Sequence, residues 1–327
     1  MHMRMSLKVC TIGGGSGMPM INKGLIRAGI RNIRSIVTTF DSGGDTGRMR
    51  TDERGKILAF SDYWRSLISL WQSGDQKKVW EEMLRYKDGR GRNFGNTFFQ
   101  FMSEKAGSLG DVDSLFTSLT GARLFGEVIP VSTDPANVCF KTISDKKYCG
   151  EHNLDDLRMS KDKVIKIWLE PEIKVNEEAK RALIESDLII ICPGSMFGSV
   201  LVNFLPIGFK EAFRESKAKK ILMTNIMSVV SENNNFNQDD YVSIFSDYLE
   251  TNKPFDLVVM ADLSKFKKEL IKKVLFNYDL EHSSPIEFNK NSSCLTQVVD
   301  IATIDEDNLR LRHSERKLGD FFTKLEV

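Results

Sequence analysis

Short runs of apolar residues alternate along the chain with longer stretches in which apolar residues recur every three or four positions. The short runs have the length and composition of buried strands, and the longer stretches have the spacing of amphipathic helices. Strands are predicted at 7–12, 33–39, 123–131, 187–192, 220–225 and 255–260. Helices are predicted at 21–28, 57–71, 77–86, 112–119, 177–185, 239–250 and 264–276, with others opening at 95–96 and near 199. This alternation predicts an α/β fold, with a doubly wound, mostly parallel sheet and helices on both faces.

The region from 138 to 169 departs from this alternation. Residues 138–149 have the pattern of a hairpin with its turn at 145–147, and another extended run follows at 164–169. We therefore predict a small antiparallel excursion here instead of another strand–helix–strand unit. The asparagine run at 233–235 is predicted to be a surface loop.

The loop after the first strand is rich in glycine. It consists of Gly13, Gly14, Gly15, Ser16 and Gly17. Such a turn leaves backbone N–H groups and the positive end of the following helix open to a ligand, and this environment favours phosphate. The motif is neither the full dinucleotide fingerprint, because Met18 replaces its third glycine, nor a Walker A loop.

The loop after the second strand combines an acid, glycines and arginines. It contains Asp41, Ser42, Gly43, Gly44, Gly47, Arg48 and Arg50. The guanidinium groups suit phosphate oxygens, and Asp41 has the chemistry to hold a ribose, a substrate hydroxyl or a divalent cation. The alternative is an Asx-turn flanked by two surface arginines.

A third polar loop follows the strand at 187–192. Pro193, Gly194 and Ser195 are followed by Ser199 and Asn203, whose small polar groups could hold a diphosphate. The alternative is a turn with a serine cap on the next helix. Asn96 can either cap a helix or contact a base or sugar, and both interpretations stay open. Because ligands of doubly wound sheets bind beyond the carboxyl ends of strands, we expect the three loops to share one site.

Composition excludes several classes of function. The chain has 327 residues with a net charge of +1 and no apolar stretch of bilayer length, so we expect neither nucleic-acid binding nor membrane insertion. The five cysteines form no CxxC pair and the four histidines lack ligand spacing, so no zinc site is expected. Scattered cysteines are typical of reduced thiols, which predicts a cytoplasmic protein.

These motifs together resemble the CofD-like family, in its YvcK or gluconeogenesis-factor-type branch. The resemblance rests on Ile12–Gly17, Asp41–Gly44 with Gly47–Arg50, Gly95-Asn96 and Pro193–Ser195 with Ser199 and Asn203, in their order and spacing. The segment 126–137 and Leu311-Arg312-His313 also match. The likeness covers nearly the whole chain.

The resemblance implies a single Rossmann-like domain over 1–327, with the excursion at about 124–169, a final helix at about 314–325 and one nucleotide-type site. One branch binds a UDP-linked amino sugar such as UDP-N-acetylglucosamine and regulates carbon metabolism, cell-wall synthesis or cell shape. The other transfers a phospholactyl-type group from a guanosine diphosphate donor to a deazaflavin, with magnesium.

The site that the resemblance implies contains Gly13, Gly14, Gly15, Ser16, Gly17, Asp41, Ser42, Gly43, Gly44, Arg48, Asn96, Gly194, Ser195, Ser199 and Arg312. Asp41 would be catalytic, and a magnesium ligand, only in a transferase. A binding protein would require no cofactor, and a homo-oligomer is left open. Ser42 replaces the second acid of the usual Asp-Asp-Gly-Gly, and Cys192 replaces a glycine. The loss of one acid favours the binding branch over magnesium-assisted transfer.

Overall fold

The computed structural model describes residues 6–42, 46–47, 58–107 and 109–327. The predicted site residues Gly43, Gly44 and Arg48 lie outside the described residues, as do Arg50 and the start of the helix predicted at 57–71.

A seven-stranded parallel sheet forms the centre of the fold, as the apolar runs predict. Its strands are β1 (Lys8–Gly13), β2 (Asn32–Val37), β3 (Gly126–Pro130), β7 (Leu188–Ile191), β8 (Lys219–Met223), β9 (Leu257–Ala261) and β10 (Thr296–Val299). They lie in the order β10-β9-β8-β7-β1-β2-β3. The order of strands therefore reverses between β1 and β7. The loops that leave the carboxyl ends of these two strands run to opposite faces of the sheet, which opens a crevice between them.

Helices cover both faces of the sheet. The α-helices of the described ranges are α1 (Gly17–Arg27), α2 (Ser61–Leu70), α3 (Asp75–Arg85), α4 (Phe94–Ala106), α5 (Val112–Thr120), α6 (His152–Asp156), α7 (Glu177–Glu185), α8 (Phe209–Glu215), α9 (Val230–Asn233), α10 (Gln238–Leu249), α11 (Lys268–Asp279) and α12 (Glu315–Lys324). Strand β7 shows the layering, because Leu188 and Ile190 belong to one apolar cluster while Ile189 and Ile191 belong to the other. A strand buried on both faces needs apolar residues at every position, which explains its unbroken run.

Two small antiparallel sheets complete the fold. The predicted hairpin is present, as β4 (Asn137–Thr142) and β5 (Lys147–Cys149), and β6 (Val164–Glu170) pairs with the other edge of β4. Because β3 pairs in parallel with β2, the antiparallel part begins at Asn137. A second hairpin, β11 (Ala302–Asp305) and β12 (Arg310–His313), carries Arg312.

The predicted final helix is α12, and it packs through Leu318 and Phe322 into the same apolar cluster as Ile21 and Leu25 of α1. The preceding strand β12 is thereby held near the amino end of the chain. None of the helices in the described ranges is both long and apolar enough to cross a membrane.

Two expectations about single residues are wrong. The cysteines are not all reduced, because Cys139 and Cys149 form a disulfide across β4 and β5. The asparagine run is not simply a surface loop, because Asn233 is fully buried at the end of α9. Its side chain accepts a hydrogen bond from the N–H of Val229 at 2.7 Å and donates to the Tyr241 hydroxyl at 2.6 Å. A buried amide with satisfied hydrogen bonds stabilises the local turn, which composition alone does not reveal.

Candidate functional site

A cavity of about 960 Å³ lies at the carboxyl edge of the sheet, where the order of strands reverses. Of the predicted site residues, the cavity is lined by Gly15, Ser16, Gly17, Gly194, Ser195, Ser199 and Arg312. Gly13, Gly14, Asp41, Ser42 and Asn96 are not part of its lining. The structure therefore brings the loops after β1 and β7 together with the C-terminal hairpin.

The glycines of the first loop have different roles. Gly15 adopts a φ of +63°, and a Cβ there would meet only Ser199 Oγ, at 3.8 Å. A Cβ on Gly14 would lie 2.2 Å from Asp62 Oδ2, and one on Gly17 would lie 1.9 Å from the Pro193 carbonyl oxygen. Gly14 and Gly17 are thus required for close packing within the protein, whereas Gly15 opens onto the cavity.

The helix that follows this turn begins without a side-chain cap. Ser16 occupies the N-cap position of α1 but its side chain makes no capping hydrogen bond, and the first turn of the helix contains no acid. Ser16 and Gly17 line the cavity. The first N–H groups of a helix lack intrahelical partners, and the helix dipole adds positive potential at that end, so this wall favours an anion.

The turn after β7 is held by its own hydrogen bonds. The N–H of Gly194 donates to Asn225 Oδ1 at 2.9 Å, and Asn225 Nδ2 donates back to the Gly194 carbonyl at 2.8 Å. Ser195 Oγ accepts from the N–H of Gly198 at 3.0 Å and donates to Glu232 Oε1 at 2.9 Å. Ser195 therefore does cap the next helix (Met196–Val200, a π-helix) while it lines the cavity.

Asn225 and Glu232 are site residues that sequence reasoning missed. Asn225 follows strand β8, so its place at a strand end was a usable signal. No signal in the sequence indicates Glu232. Its carboxylate is buried and accepts a hydrogen bond from the Met196 N–H at 2.6 Å, a contact that depends on the tertiary structure. Burial raises the pKa of Glu232, although Ser195 and the nearby backbone N–H groups oppose the shift.

Carboxylates gather beside the glycine turn. Asp41 Oδ2 accepts from Ser61 Oγ at 2.6 Å, and the N–H of Ser42 donates to Glu151 Oε2 at 3.4 Å. Burial, with Asp41 nearby, raises the pKa of Asp62 to about 6, although Arg65 and the Gly15 N–H act in the opposite direction. Burial, followed by Asp41, also raises the pKa of Glu151 well above its usual range. Several acids lie close together here, so ionising all of them is costly.

The same cavity is also lined by cations. Lys23, Arg65, Arg85, Arg158 and Arg312 contribute to its walls. Arg65 lies 3.5 Å from Asp62 and Arg85 lies 2.9 Å from Glu81, but Lys23, Arg158 and Arg312 form no ion pair with any residue in the described ranges. Cations that form no close ion pair are available to an anionic ligand.

Asn96 lies behind the site and positions a residue that lines the cavity. The N-cap of α4 is Asn93, whose Oδ1 accepts from the Asn96 N–H at 3.0 Å. The Asn96 side chain is buried, accepts from Trp64 Nε1 at 3.1 Å and donates to Thr46 Oγ1 at 3.2 Å. Its amide therefore positions Trp64, which lines the cavity, and does not itself reach the cavity.

The acids at Asp41 determine how far the site suits magnesium, which the transferase branch would use. Asp41 and Glu151 interact through a side-chain hydrogen bond, so two carboxylates lie together. Across the described ranges, the one trio with mutually close metal-ligating atoms is elsewhere, at Cys139, Cys149 and Glu170. Two carboxylates fit a magnesium ion that takes its other ligands from phosphate and water, but not an ion held by protein groups alone.

Comparison with known proteins decides the family. A family model described as 2-phospho-L-lactate transferase CofD matches residues 9–306. The chain belongs to the CofD family. This confirms the resemblance to the CofD-like family.

Relatives within the CofD family carry a different name from the transferase. A protein of Listeria innocua named gluconeogenesis factor is 29% identical over 270 residues, covering 81% of this chain and 80% of that protein. The same name, given provisionally, belongs to a protein of Aquifex aeolicus that is 33% identical over 247 residues, covering 73% of each chain. It also belongs to a protein of Thermotoga maritima that is 27% identical over 98% of this chain and 99% of that protein.

A solved structure supports the fold. A crystal structure of a protein from Bacillus halodurans superposes with a TM-score of 0.83, covering 97% of this chain and 99% of that chain at 22% identity. At this identity the likeness concerns the fold alone.

The acids of this CofD-family site predict a stability effect that depends on pH. Between the ordinary pKa of Glu151 and its raised folded value, the folded protein binds more protons than the unfolded chain, so stability falls as pH rises. Glu151→Gln removes this loss and keeps an acceptor for Ser42. We expect the ligand-free variant to be more stable than wild type at pH 8 by at least about 1.4 kcal/mol, one pKa unit, and equal to it near pH 4.

Urea unfolding at pH 4, 6 and 8 measures this difference. Glu177→Gln, which removes an exposed acid on α7, is the control and should follow the wild-type curve. If Glu151→Gln shows the same pH dependence as wild type, Glu151 is ionised in the folded protein at no cost.

Proposed function

We propose that the protein binds a nucleotide-linked small molecule, a UDP-sugar such as UDP-N-acetylglucosamine, and regulates carbon metabolism, cell-wall synthesis or cell shape in response to it. The observation that carries this proposal is one cavity that joins Gly15, the uncapped start of α1 and Arg312, which forms no ion pair with a described residue. These groups suit the same ligand, a diphosphate. The proposed location is the cytoplasm, where nucleotide-sugars are made.

The glycine turn supports a phosphate position at this end of the cavity. Gly15 leaves room beside Ser199, whose hydroxyl lines the same wall, and Ser16 and Gly17 add helix N–H groups. The N–H of Gly15 itself is engaged by Asp62, and that of Gly194 by Asn225. The proposed phosphate contacts are therefore the start of α1, the Ser199 hydroxyl and Arg312.

The cavity is larger than a diphosphate requires. A volume of about 960 Å³ lies at the upper end of the range for ligand pockets. Apolar residues such as Ile226 and Met227 line one part, and Lys23 of α1 and Arg65 of α2 line another. This mixture of surfaces fits a ligand that has a base and a sugar at opposite ends of its phosphates.

The regulatory role draws on the relatives. Proteins named gluconeogenesis factor match this chain over most of its length, which links the chain to carbon metabolism. The transferase of the family description is the second candidate, and the paired carboxylates of Asp41 and Glu151 favour it.

Calorimetry and thermal unfolding with UDP-N-acetylglucosamine, UDP, GDP and oxidised NAD test the proposal. We expect UDP-N-acetylglucosamine to bind best and to stabilise the protein by about 2.7 kcal/mol when present at 100 times its dissociation constant. The ligand should be recovered unchanged. Preferential GDP binding, together with group transfer to a deazaflavin in magnesium, would establish the transferase instead.

The variant Asp41→Asn distinguishes the two candidates. Asparagine keeps an acceptor for Ser61, so we expect the free energy of unfolding to change by at most about 1 kcal/mol. Removal of a negative charge near the phosphates should leave UDP-N-acetylglucosamine affinity in EDTA equal or higher. Calorimetry in EDTA and in magnesium measures the affinity under each condition. A loss of affinity that appears only in magnesium would show that Asp41 holds the ion.

A further inference from the structure

Cys139 and Cys149 lie directly opposite each other on β4 and β5 and are joined as a disulfide. Cys139 is fully buried in the apolar core, whereas Cys149 is exposed. A dissolved thiol can therefore approach Cys149 Sγ, and Cys139 is the sulfur that leaves. Access of this kind is one of the factors that govern thiol–disulfide exchange.

The chain that follows Cys149 forms a wall of the cavity. Glu151, Leu154, Asp155 and Arg158 all line it. The start of this wall is fastened to the end of β5, because Asn153 Nδ2 donates to the carbonyls of Cys149 at 3.1 Å and Gly150 at 3.0 Å. The wall is thus held at its start by the end of β5 and in its middle by Leu154, which is buried in the apolar core.

The wall also contacts the loop after β2. The N–H of His152 donates to Ser42 Oγ at 3.1 Å, and the N–H of Ser42 donates to Glu151 at 3.4 Å. Strand β5 has three residues, and the N–H of Gly150 donates to the Val138 carbonyl at 2.8 Å beyond it. Beside these few ladder hydrogen bonds and the stacking of Tyr148 on Phe140, the disulfide is the covalent link between β5 and β4.

We propose that Cys139 and Cys149 form a thiol–disulfide switch that sets the ligand affinity of the cavity by holding or releasing the wall at 150–158. The claim that the disulfide sets ligand affinity rests on the proposed function. The reductant is a dithiol, whose thiolate attacks Cys149 Sγ, breaks the S–S bond and expels Cys139 as a thiolate that takes up a proton. The second thiol of the reductant then displaces Cys149, which is protonated. The reductant leaves as a disulfide, and the protein has gained two electrons and two protons.

Hydrogen exchange and calorimetry on the full chain, oxidised and reduced with dithiothreitol, test the switch. In the reduced protein we expect amide exchange in 150–158 to rise by about tenfold without ligand. We also expect UDP-N-acetylglucosamine to bind at least about fivefold more weakly, and reoxidation to restore both values.

Two variants complete the test. Cys149→Ser should behave as the reduced protein under both conditions, whereas Cys294→Ser, which removes a free cysteine outside the hairpin, should keep the full response. Equal exchange and equal affinity in the two redox states would overturn the proposal, as would alkylation of both hairpin cysteines after treatment with diamide. A change in exchange without any UDP-N-acetylglucosamine binding would support the switch and count against the proposed ligand.

Discussion

Gly15→Val is expected to abolish UDP-N-acetylglucosamine binding in a protein that still folds. The φ of +63° at Gly15 strains any β-branched residue, at a cost of about 1–3 kcal/mol, which a domain of this size survives. Only Ser199 Oγ lies near the new Cβ, so the side chain extends into the cavity instead of clashing with the core. It would occupy the space proposed for the phosphates, and we expect affinity to fall at least about 100-fold, or 2.7 kcal/mol.

Gly29→Val is the matched control for backbone strain. Gly29 also has a positive φ, of +90°, and a Cβ there meets no atom within 4 Å, but it lies beyond the other end of α1. Calorimetry and thermal unfolding on both variants separate the two effects. Both should lose some stability, and only Gly15→Val should lose affinity. Wild-type affinity in folded Gly15→Val would remove the glycine turn from the proposed site.

Arg312→Ala is expected to weaken nucleotide binding by at least about tenfold without lowering the melting temperature of the free protein. Arg312 is exposed on β12, lines the cavity and forms no ion pair with a described residue, so its removal costs the fold little. A hydrogen-bonded guanidinium–phosphate pair that is partly shielded from water is worth about 2–3 kcal/mol of binding.

The neighbouring arginine on the same strand is the control. Arg310 forms an ion pair with Glu281 and lies 4.7 Å from the ring centroid of Tyr278, and it does not line the cavity. Arg310→Ala should therefore lower stability and leave affinity unchanged, the reverse of Arg312→Ala. Calorimetry that shows equal affinity for Arg312→Ala and wild type would place Arg312 outside the site.

Much of the fold follows from local pattern. Unbroken apolar runs identify the central strands, because a strand covered on both faces needs an apolar residue at each position. The hairpin at 138–149 is visible because its polar turn separates two extended runs.

The order of the strands in the sheet does not follow from local pattern. That β7 pairs with β1 depends on how the crossover helices pack, and this is what brings Gly194 and Ser195 beside the glycine turn.

The candidate site divides in the same way. The residue pattern indicates which loops carry glycines, small polar groups and arginines at strand ends, because these features are local and follow the strands. Tertiary structure alone decided that Gly15 is open while Gly14 and Gly17 pack against protein, since this depends on atoms of Asp62 and Pro193 that are distant in sequence. It also decided that Glu151 and Glu232 line the cavity and that Cys139 pairs with Cys149. Burial and long-range contact are properties of the packed chain, so no residue type or spacing specifies them in advance.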